Sequence, residues 1–447
     1  MSRVNGKEVF LVEDGGRIAL FAPYRGLIME ISEEEKERIV ALVDQSQFSF
    51  ENLTKIFPGI EEDHLLSRKT EGKTITEEEI FSPTSVVLFT TFDCSLRCLY
   101  CYAKAGEKKI NMNQQVAKAT IDFIIKNAKS KGQKKCFLGF HGGGEPTWNW
   151  PIFQFALDYF QKKERKNGLV PEISLVTNGM LSKKQIDWIA QRLQKVQVSL
   201  DGMKEIQNFQ RPTVGNGKSF EVVYRAIASF IAKGLKVVIH SVVTEISVVR
   251  IPEIIHFFAV NFPGTTVHLE PVDQCGRGLI TNQRFPSAKL FVKGFFEAEK
   301  IAKPFKVKMF YSGASSRLAE VRKNFCGVST PNFIVTPTGL VTACNEVAEI
   351  DHPLARYFIY GYLDGSDGRF VFDYQKIGNL RHSTIEIDSM CRECFAHFYC
   401  TGDCLAKNLN SRGEKNIPFL NPRCKINREL TRHYIFNQLF AKKGELP

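Results

Sequence analysis

No apolar run in the 447-residue chain is long enough to span a bilayer, and no charged segment followed by an apolar stretch opens it. These absences exclude a helical membrane protein and leave no sign of export, so a cytoplasmic protein without a membrane partner is expected. Repeats at a solenoid period are missing as well, which removes repeat architectures. Acidic side chains are outnumbered, 48 Asp/Glu against 60 Lys/Arg, for a net charge of +12. A basic body attracts anionic partners, but the chain has no Arg/Lys-aromatic stripe and no nucleic-acid motif, so nucleic acid is not the expected partner.

A chain of this length exceeds what one hydrophobic core usually supports, and 43% hydrophobic content is enough to fold two or three domains. The charge is uneven: residues 1–80 hold 10 Lys/Arg and 17 Asp/Glu, a net of −7, which leaves +19 for the rest. The twelve cysteines are uneven too. Three lie between Cys94 and Cys101, seven between Cys326 and Cys424, and only Cys136 and Cys275 stand apart. In a reducing cytosol such grouping points to metal binding or thiol chemistry rather than disulfides. For the two isolated cysteines, a buried small hydrophobe is the default reading.

Along the chain, "EVFLVE", "RIALFAP" and "GLIMEIS" alternate apolar residues, with "DGG" as a hairpin signal between the first two. Ser32 followed by Glu35 and an acidic first turn starts a helix. Strands then helix in residues 1–84 make a small α+β domain, and the polar stretch 67–85 reads as a linker. From residue 85 to 304, six β-rich runs alternate with helices expected around 113–130, 150–166, 182–193, 219–233 and 252–260. That pattern predicts an α/β fold with parallel strands and crossover helices, whose functional groups collect at the carboxyl ends of the strands. The cysteine triad follows the first run, "HGGGEP" the second, "TNG" the third and "SLDG" the fourth. Residues 305–447 lose the alternation and carry seven cysteines, so metal rather than a large core should stabilise them.

Cys94-x3-Cys98-x2-Cys101 places three thiols on one loop, while a structural zinc or a closed electron-transfer cluster wants a fourth ligand. Three corners of an iron-sulfur cube with one open iron is the economical alternative, because an open coordination position is what catalysis uses. For the later cysteines zinc ribbons are the bland alternative, but seven thiols do not divide into sites of four.

"CSLRCLYCY" after a strand, with "GGEP" at the next strand end, resembles the radical S-adenosylmethionine (SAM) enzymes. The resemblance implies a partial (β/α)6 barrel in which Cys94, Cys98 and Cys101 ligate a [4Fe-4S] cluster whose open iron chelates SAM. It places Tyr100 near the adenine and gives Gly143, Gly144, Glu145 and Pro146 to the SAM amino group. Asn178, Ser199, Asp201 and Arg211 become ribose or carboxylate contacts. Cys326-x12-Gly339-x4-Cys344, then Cys391-x2-Cys394-x5-Cys400-x3-Cys404 and Cys424, is similar to the SPASM domain of peptide- and protein-modifying radical SAM enzymes. That likeness implies two auxiliary [4Fe-4S] clusters, one on Cys391, Cys394, Cys400 and Cys424, the other on Cys326, Cys344 and Cys404 with its fourth ligand open to a substrate thiolate, Cys275, another side chain or water. Three clusters and SAM are thus the implied cofactors.

The implied activity is hydrogen abstraction from, and oxidative modification of, a ribosomally made precursor peptide, most simply to form Cys thioether or carbon-carbon cross-links. The implied partners are a precursor peptide with its leader and an electron donor such as flavodoxin or ferredoxin. Residues 1–84 resemble the winged-helix element that captures leader peptides by strand addition, with a packing extension of the barrel as the alternative. Sulfatase-maturing enzymes, which make formylglycine, are the competing class; in that branch an aspartate follows the second SPASM cysteine, where this chain has Asn345. An amide accepts no proton as a carboxylate does. A non-catalytic iron-sulfur or zinc scaffold is a third reading, and it leaves "GGEP" and "SLDG" without a purpose. No catalytic side chain is assigned from sequence.

Overall fold

Alternating apolar residues near the start of the chain fold into an antiparallel meander of β1 (Phe10–Asp14), β2 (Arg17–Ala22) and β3 (Leu27–Ile31). Asp14 pairs with Arg17 across Gly15 and Gly16, whose φ of 54° and 79° make the two-residue turn that favours glycine. Ser32 then caps the helix Glu33–Asp44: its hydroxyl accepts from the Glu35 N–H at 3.2 Å while the Glu35 carboxylate accepts from the Ser32 N–H at 2.6 Å. The structure is a computed structural model and describes residues 9–23, 27–58, 81–318, 320–382, 391, 393–412 and 422–442. Most of the expected linker, residues 67–80, lies outside the described residues.

The chain divides into two compact units. The first joins Met1–Glu79 to Tyr311–Cys326 and Thr384–Pro447. Its sheet is covered by the C-terminal elements: Phe10 meets Phe398 edge-on at 5.7 Å, and Arg17 lies 5.6 Å from the Phe436 ring on the helix Pro422–Lys442. A buried ion pair holds this unit's loop and helix together. Arg423 Nε lies 3.0 Å from both Asp403 oxygens, each side chain being 1% exposed, and Asn427 adds a 2.8 Å bond to the same carboxylate.

The second unit, Ile80–Phe310 with Gly327–Ser383, is built on one sheet. Strands β4 (Ser85–Leu88), β5 (Lys135–Phe140), β6 (Val170–Thr177), β7 (Lys195–Ser199), β8 (Lys236–Val243), β9 (Thr266–Pro271) and β10 (Lys308–Phe310) are parallel and neighbours in that order. Helices Gln114–Ser130, Trp150–Asn167, Lys183–Ala190, Phe220–Ala232 and Ile251–Asn261 connect them where the sequence places helices. Two more, Lys204–Gln210 and Ala288–Ala302, were not read from sequence. Each crossover helix covers the face that Leu138, Val198, Ile239, Val267 and Leu269 bury, which leaves alternate strand residues on the opposite, lumen face.

Beyond β4 the sheet continues through β11 (Ile334–Val335), parallel to β4, and the antiparallel β12 (Leu340–Thr342), β13 (Ile359–Leu363) and β14 (Phe370–Phe372). An aromatic cluster backs this extension, with Phe81 5.4 Å from Tyr360 and 5.2 Å from Phe372, and Phe123 5.1 Å from Phe370. No helix among the described residues is long and apolar enough to cross a membrane.

Candidate active site

The loop after β4 carries Cys94, Cys98 and Cys101, and three distant segments pin its backbone. From the β5 end, Gly144 N–H donates to Thr91 O at 2.8 Å and Glu145 N–H to Asp93 O at 2.9 Å. Only glycine fits at 144, because a Cβ there would sit 2.0 Å from Asp93 O. From residues 210–212, the carbonyls of Pro212 and Gln210 accept from Arg97 and Leu99 N–H at 2.7 and 3.0 Å. From residues 275–281, the Arg277 N–H and guanidinium donate to the carbonyls of Cys101, Cys98 and Ala105, and Thr281 Oγ1 donates to Leu99 O at 2.6 Å. Arg97 ties the loop to itself through the carbonyls of Cys94, Leu96 and Gly106.

So held, the three thiols pack in one apolar cluster with Leu96, Ala105 and Met180. Burial is the main cause that pushes the Cys98 thiol up to about 12 and raises that of Cys94 further, with neighbouring thiols of the triad adding to both. Donors nonetheless point at the sulfurs: Leu96 N–H and Asn178 Nδ2 at Cys94 Sγ (3.4 and 3.5 Å), Ala105 N–H at Cys101 Sγ (3.4 Å), and Arg211 Nη1 at Cys98 Sγ (3.9 Å). Partly to fully buried sulfurs met by aimed N–H groups disfavour bare thiolates and suit thiolates neutralised by a metal cluster. The donor set fits the [4Fe-4S] group that the sequence implies.

The "GGEP" and "TNG" segments lock to each other through Glu145. Its Oε1 accepts from Thr147 N–H, Thr147 Oγ1 and Thr177 Oγ1 at 3.1, 2.6 and 2.7 Å, and Oε2 from Asn178 N–H at 2.7 Å. Burial raises the Glu145 pKa against the pull of these donors. Gly143 takes φ 66° beneath this turn, against Phe89 and Phe92, and the Pro146 carbonyl accepts from Thr90 Oγ1 at 2.8 Å. Asn178 reaches Ser95 Oγ at 3.1 Å with its amide nitrogen and accepts from Met180 N–H with its oxygen.

Asp201, fully buried, is a second hub. It accepts from the Tyr100 hydroxyl, from Gln210 Nε2 at 2.7 Å and from Val242 N–H at 3.0 Å, and it pairs with Arg211 Nε at 3.0 Å. Arg211 also lies 5.2 Å from the Tyr100 ring. Ser199 ends β7 on the lumen face, in register with His240 of β8. The structure therefore brings Tyr100, Gly143, Gly144, Glu145, Pro146, Asn178, Ser199, Asp201 and Arg211 to one end of the sheet with the cysteine triad. Glu145, Asn178 and Asp201 spend most of their polar capacity on protein partners, which makes them organisers of the site as much as ligand contacts.

A second thiol group lies in the first unit. The Cys400 thiol is raised by burial, then by the fields of Asp403, Cys394 and Cys424, and Cys424 senses Cys391 and Cys394 in turn. Cys400 and Cys424 thus both sense Asp403, and all four cysteines belong to the first unit; among the described residues no group of three or more His, Cys, Asp or Glu side chains is placed to hold a metal ion. Cys326 and Cys404 belong to the first unit, and Cys344 to the second. In the second unit, burial and the fields of Cys101, Glu346, Cys344 and Cys275 raise the Tyr102 phenol, so Cys275 and Cys344 both come near the triad's loop.

Sequence reasoning missed the lumen histidines. His141 follows β5, His240 lies on β8, and His268 and Glu270 lie on β9. The His240 and His268 rings are 4.9 Å apart, His268 stacks on Phe310 at 4.2 Å, and His268 Nε2 is 3.2 Å from Glu270 Oε2. Burial drops the His141 pKa to about 4. The available signal was polar residues at alternate positions in strands whose other face is mostly apolar.

Residues 88–258 match the radical SAM superfamily model. Those residues thus carry a radical SAM domain. The superfamily binds SAM and a [4Fe-4S] cluster, which agrees with the three thiols that the donor set favours for metal. Over 324 residues the chain is 22% identical to a cysteine-type anaerobic sulfatase-maturating enzyme of Clostridium perfringens, covering 70% of this chain and 85% of the relative. Over 349 residues it is 26% identical to the mycofactocin maturase MftC of Mycobacterium tuberculosis, covering 74% and 80%. The fold is that of anSMEcpe solved with bound AdoMet and Cp18Cys peptide, at a TM-score of 0.64 and 20% identity over 81% of this chain and 99% of that one. SuiB of Streptococcus suis bound to precursor peptide SuiA superposes at 0.51 and 14%, over 92% and 97%.

Proposed function

We infer that this radical SAM enzyme is a peptide maturase that oxidatively modifies a ribosomally made precursor, forming Cys thioether or carbon-carbon cross-links. Cys94, Cys98 and Cys101 would hold the SAM-binding cluster, with Tyr100, Gly143, Gly144, Glu145, Pro146, Asn178, Ser199, Asp201 and Arg211 shaping the SAM pocket. When bound, cluster and SAM supply a 5′-deoxyadenosyl radical able to take a hydrogen atom from an unactivated carbon. The chain's own part is to hold the loop rigid and dry: Arg277, Thr281 and the Gly144 turn fix the loop backbone, and the Asp201–Arg211–Tyr100 set closes one wall.

The observation that carries the maturase reading is the second cysteine group, Cys391, Cys394, Cys400 and Cys424, which falls within one unit of a chain that already has a SAM-type site. Four cysteines in one unit suit an auxiliary cluster, and such a cluster would give the second electron of an oxidation a place to go. Likeness to MftC and to peptide-bound SuiB and anSMEcpe supports a peptide substrate. Formylglycine formation is the second reading, favoured by the sulfatase-maturating relative, and Asn345 weighs against it because an amide stands where that branch has its aspartate. The test is to incubate the reduced, cluster-loaded protein with SAM and synthetic Cys-containing peptides and to weigh the products. A loss of two hydrogens with a sulfide-stable bond supports cross-linking; an aldehyde captured by a hydrazine supports formylglycine; peptides unchanged while SAM is cleaved would remove the maturase reading.

A further inference from the structure

Replacing a C–H and an S–H bond by one C–S bond removes two hydrogens. One leaves as a hydrogen atom to the SAM-derived radical. The other leaves as a proton and an electron, the electron going to an iron-sulfur acceptor, and the proton needs a base. This need follows from the maturase reading, on which the inference rests. The two buried carboxylates beside the triad are poorly suited to take that proton, since Glu145 accepts four hydrogen bonds, and Asp201 is held by Tyr100, Gln210, Val242 N–H and Arg211.

The lumen face of β8, β9 and β10 offers another arrangement. Register pairs Ser199 with His240, His240 with His268, and Phe310 with His268, so these side chains form one row across the sheet, level with the end of β7. Glu270 stands one row nearer the carboxyl ends, paired with Val242, and its Oε2 lies 3.2 Å from His268 Nε2. Phe310 stacks on His268 at 4.2 Å with 12° between the planes, which fixes the ring on its far side. His268 and Glu270 keep 18% and 16% of their side chains exposed, so the pair is not sealed in the core. We propose that His268, oriented by Glu270 and stacked on Phe310, accepts the proton that the substrate releases as the new bond forms.

A carboxylate behind an imidazole does two things. It selects the tautomer that leaves Nδ1 free to accept, and it stabilises the imidazolium once formed. Glu270 is a positioning residue, and His240 serves as a neutral wall. Burial, then the fields of His268 and Arg211, hold His240 well below the ordinary imidazole range, with Glu270 opposing and His141 adding to the depression. His240 and Glu270 face His268 directly, and Arg211 and His141 reach the same space, so these are the charged groups that set the pH response.

The decisive experiment follows histidine ring carbons by NMR in 13C-histidine-labelled, cluster-loaded protein between about pH 5 and 9. The resonance lost in His268→Gln identifies His268 among the nine histidines. In Glu270→Gln its ring-carbon shifts should move away from the Nε2–H tautomer, since the carboxylate that holds the Nε2 proton is gone. An unchanged tautomer overturns the proposal. In parallel, with a synthetic single-Cys peptide and SAM, modified peptide formed per 5′-deoxyadenosine is measured against pH. Wild type should lose product on the acid side. Glu270→Gln should shift that acid limb to lower pH and lower the plateau about tenfold or more, and His268→Gln should abolish the limb. A plateau that falls while the limb stays put indicates packing alone and refutes the assignment. A wild-type protein that cleaves SAM yet never alters the peptide counts against the maturase reading, and the titration, which needs no peptide, then decides the His268–Glu270 pair alone.

Discussion

Asp201→Asn removes one charge from the centre of the site with almost no change of shape. The Asp201–Arg211 pair is buried, with 0% and 8% of the two side chains exposed. Removing one member leaves the Arg211 guanidinium uncompensated, which costs about 3–5 kcal/mol. The amide also cannot satisfy both sides: one oxygen of Asp201 accepts from Tyr100 and Gln210, the other from Val242 N–H beside Arg211, so an NH2 must face donors whichever way it turns. Against a total stability of about 5–15 kcal/mol this is a large fraction. Tyr100→Phe removes a single hydrogen bond to the same carboxylate and should cost only about 1.5–3 kcal/mol. Intrinsic fluorescence is a clean probe, because all three tryptophans, Trp148, Trp150 and Trp188, belong to the second unit. Urea titrations of the two variants and wild type give the comparison. If Asp201→Asn costs no more than Tyr100→Phe, the ionic hub does not hold this wall together.

Other consequences follow from the same geometry. Glu164 is fully buried with no partner for either oxygen among the described residues, and burial raises its pKa from 4.5 to about 8. The fold thus binds this proton more tightly than the unfolded chain, so its stabilising share is complete below about pH 4.5 and is lost as the pH rises towards 8; at roughly 1.4 kcal/mol per pKa unit the loss is about 3–5 kcal/mol. Glu164→Gln should flatten the wild-type decline and be the more stable protein at pH 8; parallel profiles would contradict this. Gly144→Ala forces a Cβ into Asp93 O and should cost about 1–3 kcal/mol and most SAM cleavage, whereas Gly132→Ala, with open space around it, should cost only the strain of its positive φ; equal activities would count against the close approach. The triple change of Cys94, Cys98 and Cys101 to Ala should abolish SAM cleavage yet retain iron on the C-terminal cysteines, and zero iron would refute separate sites. Deleting residues 1–80 should strip the partners of Phe398 and Phe436, lowering stability and iron content together; an unaltered melting curve would contradict that packing.

Local signals carried far in this chain. The Ser32–Glu35 capping box, the Gly15–Gly16 turn and the strand-helix alternation act over a few residues, so they were legible, as was the cysteine triad followed by "GGEP". What escaped depends on contacts between distant segments. Nothing near Ile334 announces that β11 will pair with β4, and nothing near Phe10 announces Phe398. The short helix Lys204–Gln210 lacks a side-chain cap, so its start carries no mark. His240 and His268 read as lone polar residues in apolar strands, because only the register of β8 against β9 makes them neighbours. The committed bonds of Glu145 and Asp201 were equally hidden: sequence says that an acid stands at a strand end, and the fold says what it holds.

The most direct measurement is anaerobic reconstitution, reduction with SAM, and mass-spectrometric detection of 5′-deoxyadenosine alongside an iron count. A three-cluster radical enzyme should yield deoxyadenosine and about twelve irons per chain, the content of three four-iron clusters. No deoxyadenosine, with one or two zinc ions per chain, would contradict it and leave a metal-stapled binding protein.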